Sequence, residues 1–252
     1  MGREAYPRFF LPLRARFRLA SRPMTPVTSV PRRLHRVLGL RWHGEDVYEI
    51  RLERNGLAFT PGDCVAIFAP DGVGSRPYSI ASGTGEEHLG FLIRRMPGGE
   101  VSGHLARLNP GDEVWLSPPF GWFRPGETAG AAPFVFVATG TGLSPFLSHL
   151  RSRPADPPRQ LFVGVRHAAD LVDPQDLAAR GETHFAVSRE DAPGCHRGRV
   201  TDLVERLFLS PDCHYYLCGL DDMIDEITRA LESRGISPRH IHRECFFNAQ
   251  YE

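Results

Sequence analysis

Between Arg33 and Arg124 the chain alternates apolar and polar residues in short runs broken by Pro and Gly, the pattern of antiparallel strands that bury one face. Tyr48, Ile50 and Leu52 alternate with Glu49, Arg51 and Glu53. Pro61-Gly62-Asp63 is a turn, Cys64 to Phe68 the next strand, and Leu89, Phe91 and Ile93 alternate again. The segment Arg76-Pro77-Tyr78-Ser79 is held extended by its proline and leads into a strand-like Ile80-Ala81-Ser82. Val101 to Leu108 makes one short helix, and Glu113 to Pro119 a last strand. The pattern predicts a small antiparallel barrel of six strands.

After the Pro125-Gly126-Glu127 exit the rhythm changes to alternating strand and helix. Phe134 to Ala138 is a continuous apolar run, as in a strand covered on both faces. It enters Thr139-Gly140-Thr141-Gly142-Leu143-Ser144-Pro145 and an apolar helix through Leu150. Further strands are expected at Gln160–Val165, His184–Ser188 and His214–Cys218. A helix at Asp222–Arg234 places Ile224, Ile227 and Leu231 on one face and stops at Gly235. These elements predict an α/β domain with a doubly wound parallel sheet, which binds nucleotides at the carboxyl ends of its strands. The expected division is 31–126 for the barrel and 127–252 for the α/β domain.

Composition narrows the function. The chain has 252 residues, 41% of them apolar, enough for two modest domains. Lys+Arg and Asp+Glu are both 30, so no overall field draws it to nucleic acid or to a membrane surface, and no apolar run is long enough to cross a bilayer. Cysteines at 64, 195, 213, 218 and 245 form neither zinc-type pairs nor an even disulfide set, which fits a reducing cytoplasm and no metal site. The first 38 residues hold nine Arg and one acidic residue, Glu4. A transit peptide has this composition, and so does an upstream region read from a start before Met24; either way residues 1–30 are excluded from the fold.

The candidate chemistry is that of a dinucleotide. Arg76 can hold a pyrophosphate in bidentate fashion, the Tyr78 ring can stack on a flat heterocycle, and Ser79 can hydrogen-bond a ring nitrogen. Gly98-Gly99 opens the short helix and offers free N–H groups to phosphate. The Gly140 and Gly142 turn allows close approach of a diphosphate. Arg166, Ser188, Arg189 and Arg199 stand at or beyond the expected strand ends and suit a dianionic phosphate such as that of NADP. The Cys218 thiol is either beside a nicotinamide ring or a small core residue.

Taken in order, Arg76 to Ser79, Gly98-Gly99-Glu100-Val101-Ser102, Thr139 to Pro145, Ser188-Arg189, Cys218-Gly219-Leu220-Asp221-Asp222-Met223 and Glu244-Cys245-Phe246 resemble the ferredoxin-NADP reductase family over about residues 33 to 252. The resemblance implies an FAD-binding barrel, with Arg76 on the pyrophosphate, Pro77 beside it, Tyr78 against the isoalloxazine and Ser79 near flavin N5. Ile93, Arg94, Gly99, Glu100, Val101 and Ser102 would line the rest of FAD. It implies an NADP(H) domain with Thr139, Gly140, Thr141 and Gly142 under the phosphates. Arg166, Ser188, Arg189 and Arg199 would hold the adenosine and 2′-phosphate, and Gly219, Asp222 and Met223 would line the same cofactor. Cys218 and Glu244 would flank the nicotinamide, with Ser79, Cys218 and Glu244 nearest the chemistry.

Where many members end in an aromatic residue over the flavin, this chain has Phe246 and continues to Glu252. The implied activity is hydride transfer between NADPH and flavin N5, with single electrons passing to or from ferredoxin or flavodoxin. One alternative is the reductase component of an oxygenase, serving a separate Rieske or diiron protein. Cys213 and Cys218 have the first spacing of a plant-type cluster motif, but no third Cys follows, so the iron-sulfur centre would belong to the partner. A more distant alternative is a flavin-binding sensor that does not turn over.

Overall fold

In the computed structural model residues 31–70 and 74–247 are described; residues 1–30, and with them the Arg-rich stretch, lie outside these. The described residues form one compact unit built on two six-stranded sheets.

The first sheet comprises β1 (Arg33–His43), β2 (Val47–Glu53), β3 (Cys64–Phe68), β4 (Ser75–Ser79), β5 (His88–Arg94) and β6 (Glu113–Leu116). Its order is β4-β3-β6-β1-β2-β5, with antiparallel pairing throughout. The bridge Ile80–Phe91 and the Ala81 N–H to Gly90 carbonyl bond (2.8 Å) join the β4 end to β5, closing the sheet into the expected barrel. Tyr48, Ile50, Leu52, Ile67, Leu89 and Phe91 fill it. Helix α1 (Glu100–Leu105) plugs it with Val101 and Leu105, and the buried Tyr48 hydroxyl donates to the Ser102 carbonyl at 2.7 Å.

The second sheet contains β7 (Phe134–Thr139), β8 (Gln160–Val165), β9 (Glu182–Val187), β10 (His196–Arg197), β11 (His214–Leu220) and β12 (Ile241–Phe247). It is wholly parallel, in the order β10-β9-β8-β7-β11-β12. Helices α2 (Ser144–Ser152) and α3 (Pro174–Ala179) follow β7 and β8, and α4 (Asp221–Ser233) follows β11. One face packs with Phe136, Phe146 and Leu150, the other with Val135, Leu217, Ile224 and Leu231. Winding outward from β7 in both directions places the topological switch point between β7 and β11.

Several expected elements shift. Ile80-Ala81-Ser82 is not a strand, because only Ile80 bridges before the chain turns away toward α2. The last barrel strand stops at Leu116. Helix α1 ends at Leu105, short of the expected Leu108. The parallel sheet has six strands where the apolar runs showed four; β10 is two residues long, and β12 carries His242, Arg243 and Glu244 in place of an apolar run. Glu49, expected on the solvent face of β2, is 3% exposed because Arg51 (3.1 Å) and Arg151 (3.7 Å) cover it. Among the described residues no helix is long and apolar enough to cross a membrane.

Candidate active site between the two sheets

On β4, Arg76 pairs in register with Ile67, and Tyr78 with Val65. Alternation turns Ser79 to the opposite side, where it is 6% exposed. Arg76 is exposed, and its guanidinium makes one hydrogen bond among the described residues, from Nη1 to the Ser75 carbonyl at 2.8 Å. Tyr78 packs on the barrel core and is half-buried. The α1 amino end, at Gly99, carries no side-chain cap. A Cβ on Gly99 would lie 3.0 Å from the Met96 carbonyl oxygen, so only glycine lets this turn close. An exposed guanidinium fork, a half-open aromatic ring and an uncapped helix end on one rim of the barrel fit FAD.

The side chains of Ile93 (1% exposed) and Val101 (3%) belong to the barrel core, so only their main chain can face a cofactor. The Ser102 hydroxyl accepts from the Met96 N–H at 3.1 Å and thereby fixes the loop before α1. Arg94 ends β5 with its Nη2 3.5 Å from where a Cβ on Gly140 would stand, so the barrel reaches the glycine turn of the second sheet directly.

That turn lies at the switch point. Gly140 has φ +52°, and the Thr139 hydroxyl accepts from the Leu220 N–H at 2.8 Å, binding the β7 end to the β11 end. Gly142 is pressed on Cys218 and Gly219, a Cβ there falling 2.4 Å from the Cys218 carbonyl oxygen. The expected arginines line up along three neighbouring strand ends. Arg166 follows β8 and Ser188-Arg189 follow β9, with the Arg189 N–H bonded to the Arg166 carbonyl at 3.0 Å. Gly198 donates to the Val187 carbonyl at 3.0 Å, bringing exposed Arg199 to the same edge. A glycine turn and three arginine-bearing strand ends fit a pyridine dinucleotide. Met223 is 4% exposed within the core, which leaves Asp222 as the more open of that pair.

Cys218 and Glu244, 26 residues apart, are register partners on β11 and β12. The buried Cys218 thiol donates to Glu244 Oε2 at 3.8 Å. Burial, then the Glu244 charge, push this thiol well up, so it stays protonated and acts as a neutral donor. Burial likewise raises Glu244 to about 7, against smaller lowering by Cys218 and Arg124. The Cys64 thiol rises to about 11, through burial first and the Glu244 charge next. Cys64 pairs with Ser79, so Glu244 sits within electrostatic reach of the barrel rung that carries the expected N5 partner. Phe246, where the β11–β12 register shifts, packs on the core cluster that contains Phe123, Phe146 and Cys218.

Residues 43–124 match the oxidoreductase FAD-binding domain family, and residues 136–229 the oxidoreductase NAD-binding domain family. Ferredoxin--NADP reductase B of Sorangium cellulosum is 30% identical over 235 residues, which cover 84% of this chain and 96% of that protein. The chain belongs to the ferredoxin-NADP reductase family. It therefore carries an FAD-binding domain followed by an NAD(P)-binding domain. The toluate 1,2-dioxygenase electron transfer component of Pseudomonas putida is 33% identical over 203 residues; they cover 76% of this chain but only 60% of that protein's length. Among solved structures, an Amycolatopsis cytochrome P450 reductase superposes with a TM-score of 0.76 at 31% identity, covering 86% of this chain and 71% of that one.

The Glu244 shift carries a testable sign. A carboxyl whose folded value is raised from 4.5 to about 7 favours folding below pH 4.5, and that contribution is lost as pH climbs through 7. The loss amounts to roughly 3 kcal/mol at about 1.4 kcal/mol per unit. Glu244→Gln, neutral at every pH, lacks this loss. Urea unfolding of the FAD-free protein is expected to show the variant gaining on the wild type between pH 5 and 8, whereas a constant gap would place Glu244 in water.

Proposed function

We propose that the protein is an NADPH-dependent FAD reductase that passes electrons singly to a separate iron-sulfur protein, a ferredoxin or the iron-sulfur component of an oxygenase. The observation that carries this reading is the approach of the barrel to the glycine turn, Arg94 at the end of β5 standing against Gly140, with Gly142 of that turn pressed on Cys218, the partner of Glu244. Within it, residues 31–126 serve FAD and 127–252 serve the nucleotide. When bound, the flavin accepts a hydride from the nicotinamide and gives up its electrons one at a time.

The chain's own residues hold the two rings face to face and keep water out. Arg76 neutralises the FAD pyrophosphate while Tyr78 supports the ring system. The Ser79 hydroxyl offers a hydrogen bond near N5. Cys218, buried and protonated, presents a small polar wall beside the nicotinamide. Glu244, half protonated near neutrality, orients the nicotinamide amide, and Phe246 fills the space beyond it. Thr139 to Gly142 approach the nucleotide phosphates through main chain alone. The likeness to oxygenase electron-transfer components and to a ferredoxin--NADP reductase supports a small iron-sulfur acceptor.

NADPH is preferred over NADH in this reading because Arg166, the residue after the second parallel strand, stands where an acidic residue would bind a bare ribose. Arg189→Ala and Arg199→Ala are each expected to raise KM for NADPH about tenfold or more, the value of one charge-assisted phosphate contact, and to leave NADH nearly unchanged. Steady-state kinetics with both coenzymes checks this; equal losses would remove the 2′-phosphate from these arginines. The function itself is tested by anaerobic reduction of a [2Fe-2S] ferredoxin, and separately of flavodoxin, with catalytic FAD-loaded protein and NADPH. Reduction of the ferredoxin is expected. Reduction of flavodoxin alone would change the partner, and reduction of neither would return the protein to a sensor role.

A further inference from the structure

Helix α2 begins where the glycine turn ends, and one turn later it grips the chain that follows Ser79. The Ser148 hydroxyl donates to the Ser82 carbonyl at 2.9 Å. Arg151 Nη1 donates to the Ala81 carbonyl at 3.0 Å, and the Ser152 hydroxyl oxygen accepts from the Thr84 N–H at 2.9 Å. Positions 148, 151 and 152 share one helix face, so a single side of α2 binds three main-chain groups within residues 81–84, the Ala81 and Ser82 carbonyls and the Thr84 N–H. Ser148 and Ser82 are both fully buried. Gly83 lies flat on the helix; a Cβ there would stand 2.9 Å from Arg151 Cβ and 3.0 Å from its carbonyl carbon.

The same segment is tied on its other side to β5. Ala81 donates to the Gly90 carbonyl at 2.8 Å, and the Ser82 hydroxyl accepts from the Gly90 N–H at 3.0 Å. Arg151 is braced in turn between Glu49 Oε1 (3.7 Å) on β2 and Asp173 Oδ2 (3.4 Å) before α3, while Arg41 on β1 holds Asp173 at 2.9 Å. Three residues separate Ser79 from Ser82, and four, about one helical turn, separate Ser144 from Ser148.

We propose that Ser148 and Arg151 are positioning residues for hydride transfer: through the main chain of 81–84 they set the separation and tilt of the flavin against the nucleotide that the glycine turn holds. Neither side chain needs to touch a cofactor. Their effect falls on geometry, where a displacement of about 1 Å costs on the order of a hundredfold in rate. The inference rests on the reading under Proposed function.

The test is single-turnover bleaching of the FAD-loaded protein by NADPH. Each preparation is also measured for FAD content, NADPH Kd, melting temperature and amide hydrogen exchange at 81–84. Ser148→Ala removes one bond without altering charge. Arg151→Lys keeps the charge beside Glu49 and Asp173 but loses the fork. Gly83→Ala keeps every hydrogen-bonding group and wedges the segment off the helix. Each variant is expected to slow bleaching about tenfold or more, with faster exchange at 81–84 and with FAD content and NADPH Kd within about threefold of wild type.

Bleaching at the wild-type rate in Ser148→Ala and Arg151→Lys, with exchange at 81–84 raised, overturns the proposal and leaves the contact structural. If Gly83→Ala fails to fold, the other two variants decide. A wild-type protein that loads FAD but is not bleached by NADPH overturns the functional reading instead, and the positioning role falls with it.

Discussion

Arg76→Ala is expected to lower FAD affinity about a hundredfold and to yield protein that purifies without colour. The guanidinium is exposed and, among the described residues, bonds only its neighbour's carbonyl, so little of the loss is charged to unfolding. What is removed is a pair of charge-assisted hydrogen bonds to phosphate, worth roughly 1.5–3 kcal/mol each before the cost of desolvation. Arg76→Lys keeps the charge and loses the planar fork, and falls between the two. Quenching of FAD fluorescence on titration with protein measures all three. An affinity for Arg76→Ala within about threefold of wild type would remove Arg76 from the pyrophosphate.

Gly142→Ala is the second change with a large expected effect, and it acts on the other cofactor. The new methyl would stand 2.4 Å from the Cys218 carbonyl oxygen, 2.6 Å from its carbon and 2.7 Å from Gly219 Cα. All three are main-chain atoms, so no side chain can swing aside, and either the glycine turn or the β11 end must move. Forcing one methyl into so close a contact costs typically about 1–3 kcal/mol. The displaced groups are those that receive the nucleotide, so NADPH affinity should fall more than tenfold while FAD stays bound. Isothermal titration of the FAD-loaded variant with NADP+ provides the check. Unchanged affinity would mean that the nucleotide does not lie on this turn.

Much of this site was legible in the chain. A proline that extends Arg76, an apolar run that meets two glycines, and arginines at strand ends are local signals, and the fold puts Arg76 on β4, the glycines at the end of β7 and Arg166 and Arg189 just beyond β8 and β9. Cys218 and Glu244 meet only through the parallel register of β11 and β12, and β12 gives no apolar run to announce itself, so their pairing was visible only through the family resemblance. Ile93, Val101 and Met223 fall where both core periodicity and family likeness claim them; the structure gives their side chains to the core and leaves the cofactors their main chain.

Glu49 and α2 escaped for the opposite reason. A charged residue in an alternating strand reads as solvent-facing until a cation from another element covers it, and Arg151 comes from 102 residues away. In α2, Ser148 and His149 stand between Leu147 and Leu150, apolar residues on both sides, a pattern that marks a helix buried all round and its polar residues as bonded.

In the proposed function one chain brings FAD and NADPH into contact for hydride transfer. The most direct test of this is the visible spectrum of the FAD-loaded protein under anaerobic conditions, before and after one equivalent of NADPH. The flavin bands are expected to bleach at once on mixing. A protein that takes up no FAD, or holds it with bands unchanged by NADPH, would contradict it.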